Sequence, residues 1–409
     1  MNVVQLHKQD AILKGEIHLT SSKSESNRAL IIQAICETPF TIKNLSPSED
    51  TETLKNILQK KKNSDLFNCG HAGTTFRFLT AYFASQNGTV TLTGSYRMKQ
   101  RPIGILVDAL LKLGAQIEYL EKEGFPPLKI TGKELNGGTI EMDGSMSSQY
   151  ISALALIAPR FKSELHIKFK GEVTSKPYIN MTLKMMKRVG VDCFWSGDKL
   201  KIQNKKYQID AGSQYSIEAD WSSASYWYSM AALAKEVDLK IYGLKEKSLQ
   251  GDAVITSIYS FFGVHTDFFD DGIRLSKVNY LSKEYNFDCA DCPDIAQTIA
   301  VTACGLGEPI ILSGLKTLRI KETDRIQALI NELKKINCVA EEIREGVLKI
   351  TPGKLPNDIP AFKTYYDHRM AMAFAPLAML NKITIENPAV VKKSYPSFWN
   401  DLKKTGFHC

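Results

Sequence analysis

Four short segments hold most of the residues that could do chemistry. They are Ser22-Lys23-Ser24-Glu25-Ser26-Asn27-Arg28, Ala72-Gly73-Thr74-Thr75-Phe76-Arg77, Arg319-Ile320-Lys321-Glu322-Thr323-Asp324-Arg325 and Asp367-His368-Arg369-Met370. Each sets basic residues beside hydroxyls, a glycine or carboxylates where a helix would begin. Guanidinium groups grip phosphates and carboxylates in a bidentate fork, and Lys adds a compact charge. A helix start adds unpaired N–H groups and partial positive charge, so such places hold anions. Glu322, between Lys321 and near Arg325, stays ionised beside those cations. With Asp294, at the helix start in Asp291-Cys292-Pro293-Asp294, it forms a pair of carboxylates able to take or return protons. The chemistry expected is proton transfer on two phosphorylated substrates held between two halves of the chain.

Bland readings compete at single positions. Glu322 and Arg325 lie one helical turn apart and would suit a surface pair; Ser24 and Ser147 would suit plain N-caps, and His368, Trp221 and Trp227 packing roles. Recurrence favours function. Helix openings appear at Ser24–Arg28, Ala72–Thr75, Ser147–Tyr150, Asp220–Ser223, Asp291–Asp294 and Asp367–Met370, the last five spaced by roughly 70–76 residues. After each come a short strand, often ending in Gly, and a second helix. The second helices are expected at Thr51–Gln59, Arg101–Leu113, Lys176–Val189, Gln250–Phe262, Lys321–Ile336 and Tyr395–Lys404. Alternating strands close each unit.

The first unit is short: Lys60 to Asn68 leaves no room for a closing strand pair. The sixth ends after its second helix at Gly406, and N-terminal strands near Val3–His7 and Ala11–Leu19 could supply what it lacks. A chain of 409 residues exceeds one core. The expectation is an α/β (α+β) protein of two domains, residues 1–19 plus 219–409 and, inserted, 20–218, with three units each. Helix starts from three units can then face one cleft.

The formal charge is +8, but the basic residues are spread along the chain, and the Lys60-Lys61-Lys62 run reads as a solvated helix end. A nucleic-acid-binding protein would cluster Lys and Arg with aromatics for stacking. The N-terminus lacks the apolar core of a signal peptide, and the longest apolar stretch, Met370 to Leu380, contains Pro376 and is too short to span a bilayer. A cytoplasmic protein without nucleic acid or membrane partners is expected. Among 8 Cys, Cys289-Ala290-Asp291-Cys292 is a lone pair without the further ligands a zinc site wants, so no metal is assigned.

The four segments, in this order and with Arg97-Met98-Lys99-Gln100-Arg101-Pro102-Ile103-Gly104 between them, closely resemble the 5-enolpyruvylshikimate-3-phosphate synthases over essentially the whole chain. The resemblance implies a two-domain inside-out α/β barrel of six βαβαββ repeats, three per domain. It also implies a monomer that needs no cofactor and moves the enolpyruvyl group of phosphoenolpyruvate to the 5-hydroxyl of shikimate 3-phosphate. By motif, Lys23, Gly73, Arg101, Gln149, Arg325, Arg369 and Lys393 match the family's phosphoenolpyruvate site. Lys23, Ser24, Arg28, Ser147, Ser148, Gln149, Ser175, Tyr178, Asp294 and Lys321 match its shikimate 3-phosphate site. Lys23, Asp294 and Glu322 match its catalytic groups.

Departures are Phe78 where the family often has Pro, Thr317 where it has Asn, and the trimmed first unit. With Gly73 present, glyphosate is expected to compete with phosphoenolpyruvate. The related transferases acting on UDP-N-acetylglucosamine carry a loop Cys shortly before an Arg-Pro pair; Tyr96 to Gln100 contains none.

Overall fold

The protein is described by a computed structural model covering residues 2–60, 64–145, 147–280 and 284–409. Lys61 and Lys62 of the basic run lie outside the described residues. The strands follow from apolar alternation. Leu165–Lys170 buries Leu165, Ile167 and Phe169 and exposes His166, Lys168 and Lys170, the period of a half-buried strand.

One sheet order occurs four times. Tyr285–Asp288 runs parallel to Ile310–Ser313, which pairs antiparallel with Val347–Thr351, itself bound to Val339–Arg344. The same order joins Leu66–Asn68, Gly88–Thr93, Leu128–Gly132 and Gln116–Tyr119. It recurs with Gly138–Asp143, Leu165–Lys170, Lys199–Ile202 and Cys193–Ser196, and with Ile12–His18, Glu236–Tyr242, Gly272–Lys277 and Val264–Phe269. In the first repeat only a parallel pair, Gln214–Ser216 with Thr41–Lys43, is present among the described residues. Among the described residues no strand pair separates helix Glu49–Lys60 from Leu66–Asn68 there.

The N-terminal strands divide differently from expectation. Val3–Leu6 pairs antiparallel with Ile383–Glu386, and His7 bridges to His408, completing the sixth repeat. Ile12–His18 instead forms a seven-residue parallel ladder with Glu236–Tyr242 and so belongs to the fourth. That ladder sends Leu13 and Ile17 into the core.

The chain forms two compact units, Met1–Ser21 with Glu218–Cys409 (unit one) and Ser22–Ile217 (unit two). Within each, the first helices lie at the centre. All of Gly73–Ala84 except Thr74 and all of Trp221–Leu233 except Ser222 are buried, as helices apolar on all sides must be. The three first helices of unit two, Lys23–Ile35, Gly73–Ala84 and Ser148–Ile157, touch one another pairwise. The second helices are amphipathic and flank them; Lys176–Arg188 buries Ile179, Met181, Leu183, Met185 and Met186 on one side.

Some second helices start later than their apolar spacing suggests. Pro102 disfavours helical backbone at Arg101, and that helix begins at Gly104. Asp324 accepts from the Gln327 N–H at 3.1 Å as an N-cap, so the helix expected from Lys321 spans Arg325–Leu333 and continues as a tighter turn to Ile336. Cys304 and Cys338 form a disulfide, which the irregular Cys spacing did not reveal. Cys289 and Cys292 are buried.

Candidate active site

In unit two the candidate residues Lys23, Ser24, Gly73, Ser147, Ser148 and Gln149 lie at the starts of the first helices, and Arg101, Ser175 and Tyr178 near the starts of the second. Ser22 caps helix Lys23–Ile35, and the Lys23 ammonium meets Asp50 at 3.1 Å. Thr75 ties this pair to the next repeat by donating to the Asp50 carbonyl at 2.8 Å. Gly73 opens the second of these helices. A Cβ there would lie 2.5 Å from Arg101 Nη1 and 2.7 Å from Arg77 Nη1, so only glycine lets two buried guanidinium groups close on the helix start. Arg77 donates to Gln149 Oε1 at 2.9 Å and lies over the Tyr150 ring, while Gln149 Nε2 donates to Thr74 at 3.0 Å. Gln149 is thus held between two repeats with both ends of its amide fixed. Ser147 caps its helix, accepting from the Gln149 N–H at 3.4 Å; Ser148 follows it and is buried.

Arg28 is sealed behind these residues. It donates to Thr182 Oγ1 at 2.6 Å, to the Ser24 carbonyl at 2.7 Å, to the Tyr178 carbonyl at 3.1 Å and to Ser152 Oγ at 3.3 Å. Burial pushes its guanidinium down to about 10, with Tyr178 and Glu25 opposing. Ser175 sits in left-handed backbone (φ 54°) just before helix Lys176–Arg188 and does not cap it with its side chain.

In unit one the structure brings Asp294, Glu322, Arg325, Arg369 and Lys393 into one ion-pair network. Arg325, 2% exposed, donates to Asp367 Oδ2 at 2.7 Å, to Glu322 Oε2 at 2.9 Å and to Asp294 Oδ1 at 3.2 Å. Burial disfavours its charge, but Asp367, Glu322 and Asp294 together overcome that and hold it above the usual arginine range. Arg369 binds the other Asp294 oxygen at 2.7 Å, and the Lys393 ammonium reaches the other Glu322 oxygen at 3.1 Å. Asp294 and Glu322 are therefore each gripped by two cations, an arrangement that fixes the direction of their oxygens. Lys321 is extended between the turn Lys316–Ile320 and the Asp324 cap. The Thr317 hydroxyl is buried, with no hydrogen-bond partner among the described residues.

Three residues of these networks, and a nearby acid, Asp252, carry no role in the sequence motifs. Asp367 was legible as a cap, and it does accept from the Arg369 N–H at 2.9 Å, but it is also the main counter-charge of Arg325. Arg77 stood in a motif without a role. Asp50 and Asp252 gave no motif signal; the available clue was that each is the second residue of its repeat's second helix.

Comparison with known proteins fits this geometry. The profile of the EPSP synthase (3-phosphoshikimate 1-carboxyvinyltransferase) family matches residues 7–62 and 58–402. A 3-phosphoshikimate 1-carboxyvinyltransferase of Bacteroides fragilis is 44% identical over 398 residues, 97% of this chain and 96% of that protein. The chain belongs to the EPSP synthase family. Another member, from Sulfurovum, is 37% identical over 440 residues, 98% of this chain and 99% of its own. The family fold is matched by an EPSP synthase structure from Acinetobacter baumannii, with a TM-score of 0.79 at 20% identity, covering 100% of this chain and 99% of that one. The enolpyruvyl transferase NikO from Streptomyces tendae shares the fold with a TM-score of 0.76 at 15% identity, over 100% and 98%. The family is one of transferases, and the two-unit inside-out α/β architecture is its architecture.

Proposed function

We propose that this chain transfers the enolpyruvyl group of phosphoenolpyruvate to the 5-hydroxyl of shikimate 3-phosphate and releases phosphate. The observation that carries this is the paired grip on Asp294 and Glu322 by Arg325, Arg369 and Lys393, within a family of that activity. In the addition step the substrate oxygen bonds to C2 of phosphoenolpyruvate, its proton passes to a carboxylate, and the methylene carbon gains a proton. In the elimination step that carbon loses a proton, the bond from C2 to the phosphate oxygen breaks and phosphate leaves. Asp294 or Glu322 takes the hydroxyl proton; Lys23 or Glu322 serves the methylene.

Phosphoenolpyruvate is assigned to Lys23, Gly73, Arg101, Gln149, Arg325, Arg369 and Lys393, whose cations suit its phosphate and carboxylate. Shikimate 3-phosphate is assigned to Lys23, Ser24, Ser147, Ser148, Gln149, Ser175, Tyr178, Asp294 and Lys321. Arg28 belongs to this set through the segment it braces, since its guanidinium bonds the Tyr178 and Ser24 carbonyls. No helix among the described residues is long and apolar enough to cross a membrane; a cytoplasmic monomer completes the reading and is checked by sedimentation.

The deciding experiment measures phosphate release from phosphoenolpyruvate with shikimate 3-phosphate and, in parallel, UDP-N-acetylglucosamine. Release with the first acceptor alone is expected. Release only with the second overturns the assignment.

A further inference from the structure

Asp252 is a buried carboxyl, 3% exposed, that neither the motifs nor the ion pairs above account for. It opens the second helix of the fourth repeat, the first repeat of unit one after the chain returns. Its counterpart in unit two is Asp50. Each is the second residue of its helix, in Glu49–Lys60 and Gly251–Val254. Each reaches the start of its repeat's first helix. Asp50 binds Lys23, the first residue of Lys23–Ile35; Asp252 accepts from the Ser222 hydroxyl, on the second residue of Trp221–Leu233. The repeat thus places a buried acid at the same spot twice, with a cation above it in unit two and a hydroxyl in unit one.

What lies beyond the hydroxyl gives the position its meaning. Ser222 Oγ is 3.5 Å from Arg369 Nη2, and the same Nη2 donates to Asp294 Oδ2 at 2.7 Å. A relay runs from Asp252 through Ser222 to Arg369 and on to Asp294. The charged and titratable groups around Asp252 include Asp294, Arg369 and Asp220, with Cys292 beside them. Two of the acids repel it and one cation attracts it.

We propose that Asp252, acting through Ser222, is a positioning residue that sets the Arg369–Asp294 pair and tunes Asp294 as a proton acceptor. Ionised, Asp252 turns the Ser222 hydroxyl toward itself and leaves its lone pairs to Arg369. Protonated, it can donate to Ser222, and the serine proton must then compete with Arg369 for space and direction. Burial, then the Asp294 charge, push the Asp252 carboxyl up to about 7, against the pull of Arg369 and Ser222. The relay is therefore expected to change state near neutral pH.

This inference rests on the reaction proposed above, and its test separates the two. The wild-type protein, Asp252→Asn and Ser222→Ala are assayed for phosphate release with shikimate 3-phosphate across neutral pH. Wild-type kcat/KM for phosphoenolpyruvate is expected to show an inflection near 7. Asp252→Asn removes that inflection and lowers kcat/KM on the order of tenfold. Ser222→Ala, which leaves the acid in place, lowers it in the same direction and flattens the profile.

A second readout guards against a merely structural effect. An acid held above its ordinary range costs the fold stability as pH rises from about 4 through about 7, because the unfolded chain has already released that proton. Asp252→Asn is therefore expected to melt higher than wild type at alkaline pH, and no higher in acid. Variants that fold normally, keep the wild-type pH profile and keep the wild-type kcat/KM overturn the proposal, as does an Asp252→Asn protein that is less stable at alkaline pH. A wild-type protein that releases no phosphate overturns the function instead.

Discussion

Arg28 and Arg325 are equally buried, each 2% exposed, in opposite surroundings. Arg28, in unit two, is met by neutral oxygens from Ser24, Ser152, Tyr178 and Thr182. Arg325, in unit one, is met by three carboxylates. Burial lowers the first guanidinium's affinity for its proton, whereas the carboxylates raise the second's. The contrast separates two tasks. Unit two, apart from the Lys23–Asp50 pair, surrounds Arg28 and Arg77 with amide, hydroxyl and carbonyl groups, which suits holding an anion. Unit one binds its cations to acids, which suits moving protons while keeping the acids aimed.

If that division is right, the largest effects fall on the acids of unit one. Glu322→Gln and Asp294→Asn are expected to cut turnover by about 10²–10⁴-fold with little change in folding, measured as steady-state phosphate release. A Glu322→Gln enzyme with near-normal turnover removes that residue from the chemistry. Next comes stability. Arg325→Met strands Asp367, which is 0% exposed, and should cost about 3–5 kcal/mol in urea unfolding. Arg28→Met strands only neutral groups and should cost about 1–3 kcal/mol. Equal costs would erase the distinction.

Smaller still is Gly73→Ala, whose methyl must displace Arg101 and Arg77. It should raise KM for phosphoenolpyruvate on the order of tenfold while kcat changes less, and weaken competition by glyphosate in the same titration. At the foot of the scale, Lys14→Met breaks an exposed pair with Glu236 and should leave the urea midpoint where it was; a clear loss would mean that surface pairs matter here as much as buried ones.

The sequence showed the repeats because their signals are local: capping residues, apolar periods and glycines recur in order. Asp294, Glu322, Arg325 and Arg369 were legible because their motifs are contiguous. Lys393 stood out only through resemblance; its partner Glu322 lies 71 positions earlier in the chain, and no local pattern joins them. Asp252 was illegible for the same reason, since Ser222 is 30 residues away. The late start of the Arg325–Leu333 helix was missed because the basic Lys321 reads as a helix opening, whereas the Asp324 cap decides where backbone hydrogen bonds begin. Ala11–Leu19 was given to the wrong sheet because a single strand's alternation does not name its neighbour.

The sixth repeat is closed by residues from opposite ends of the chain: Val3 faces Glu386 and His7 bridges His408. During synthesis unit two, one uninterrupted stretch from Ser22 to Ile217, is free to fold as soon as it leaves the ribosome. In unit one, Ile12–His18 finds its partner once Glu236–Tyr242 is made, but Val3–Leu6 must wait, unpaired, for Ile383–Glu386. Closure of the sixth repeat therefore joins strands nearly four hundred residues apart, and it comes after unit two has had its chance to fold.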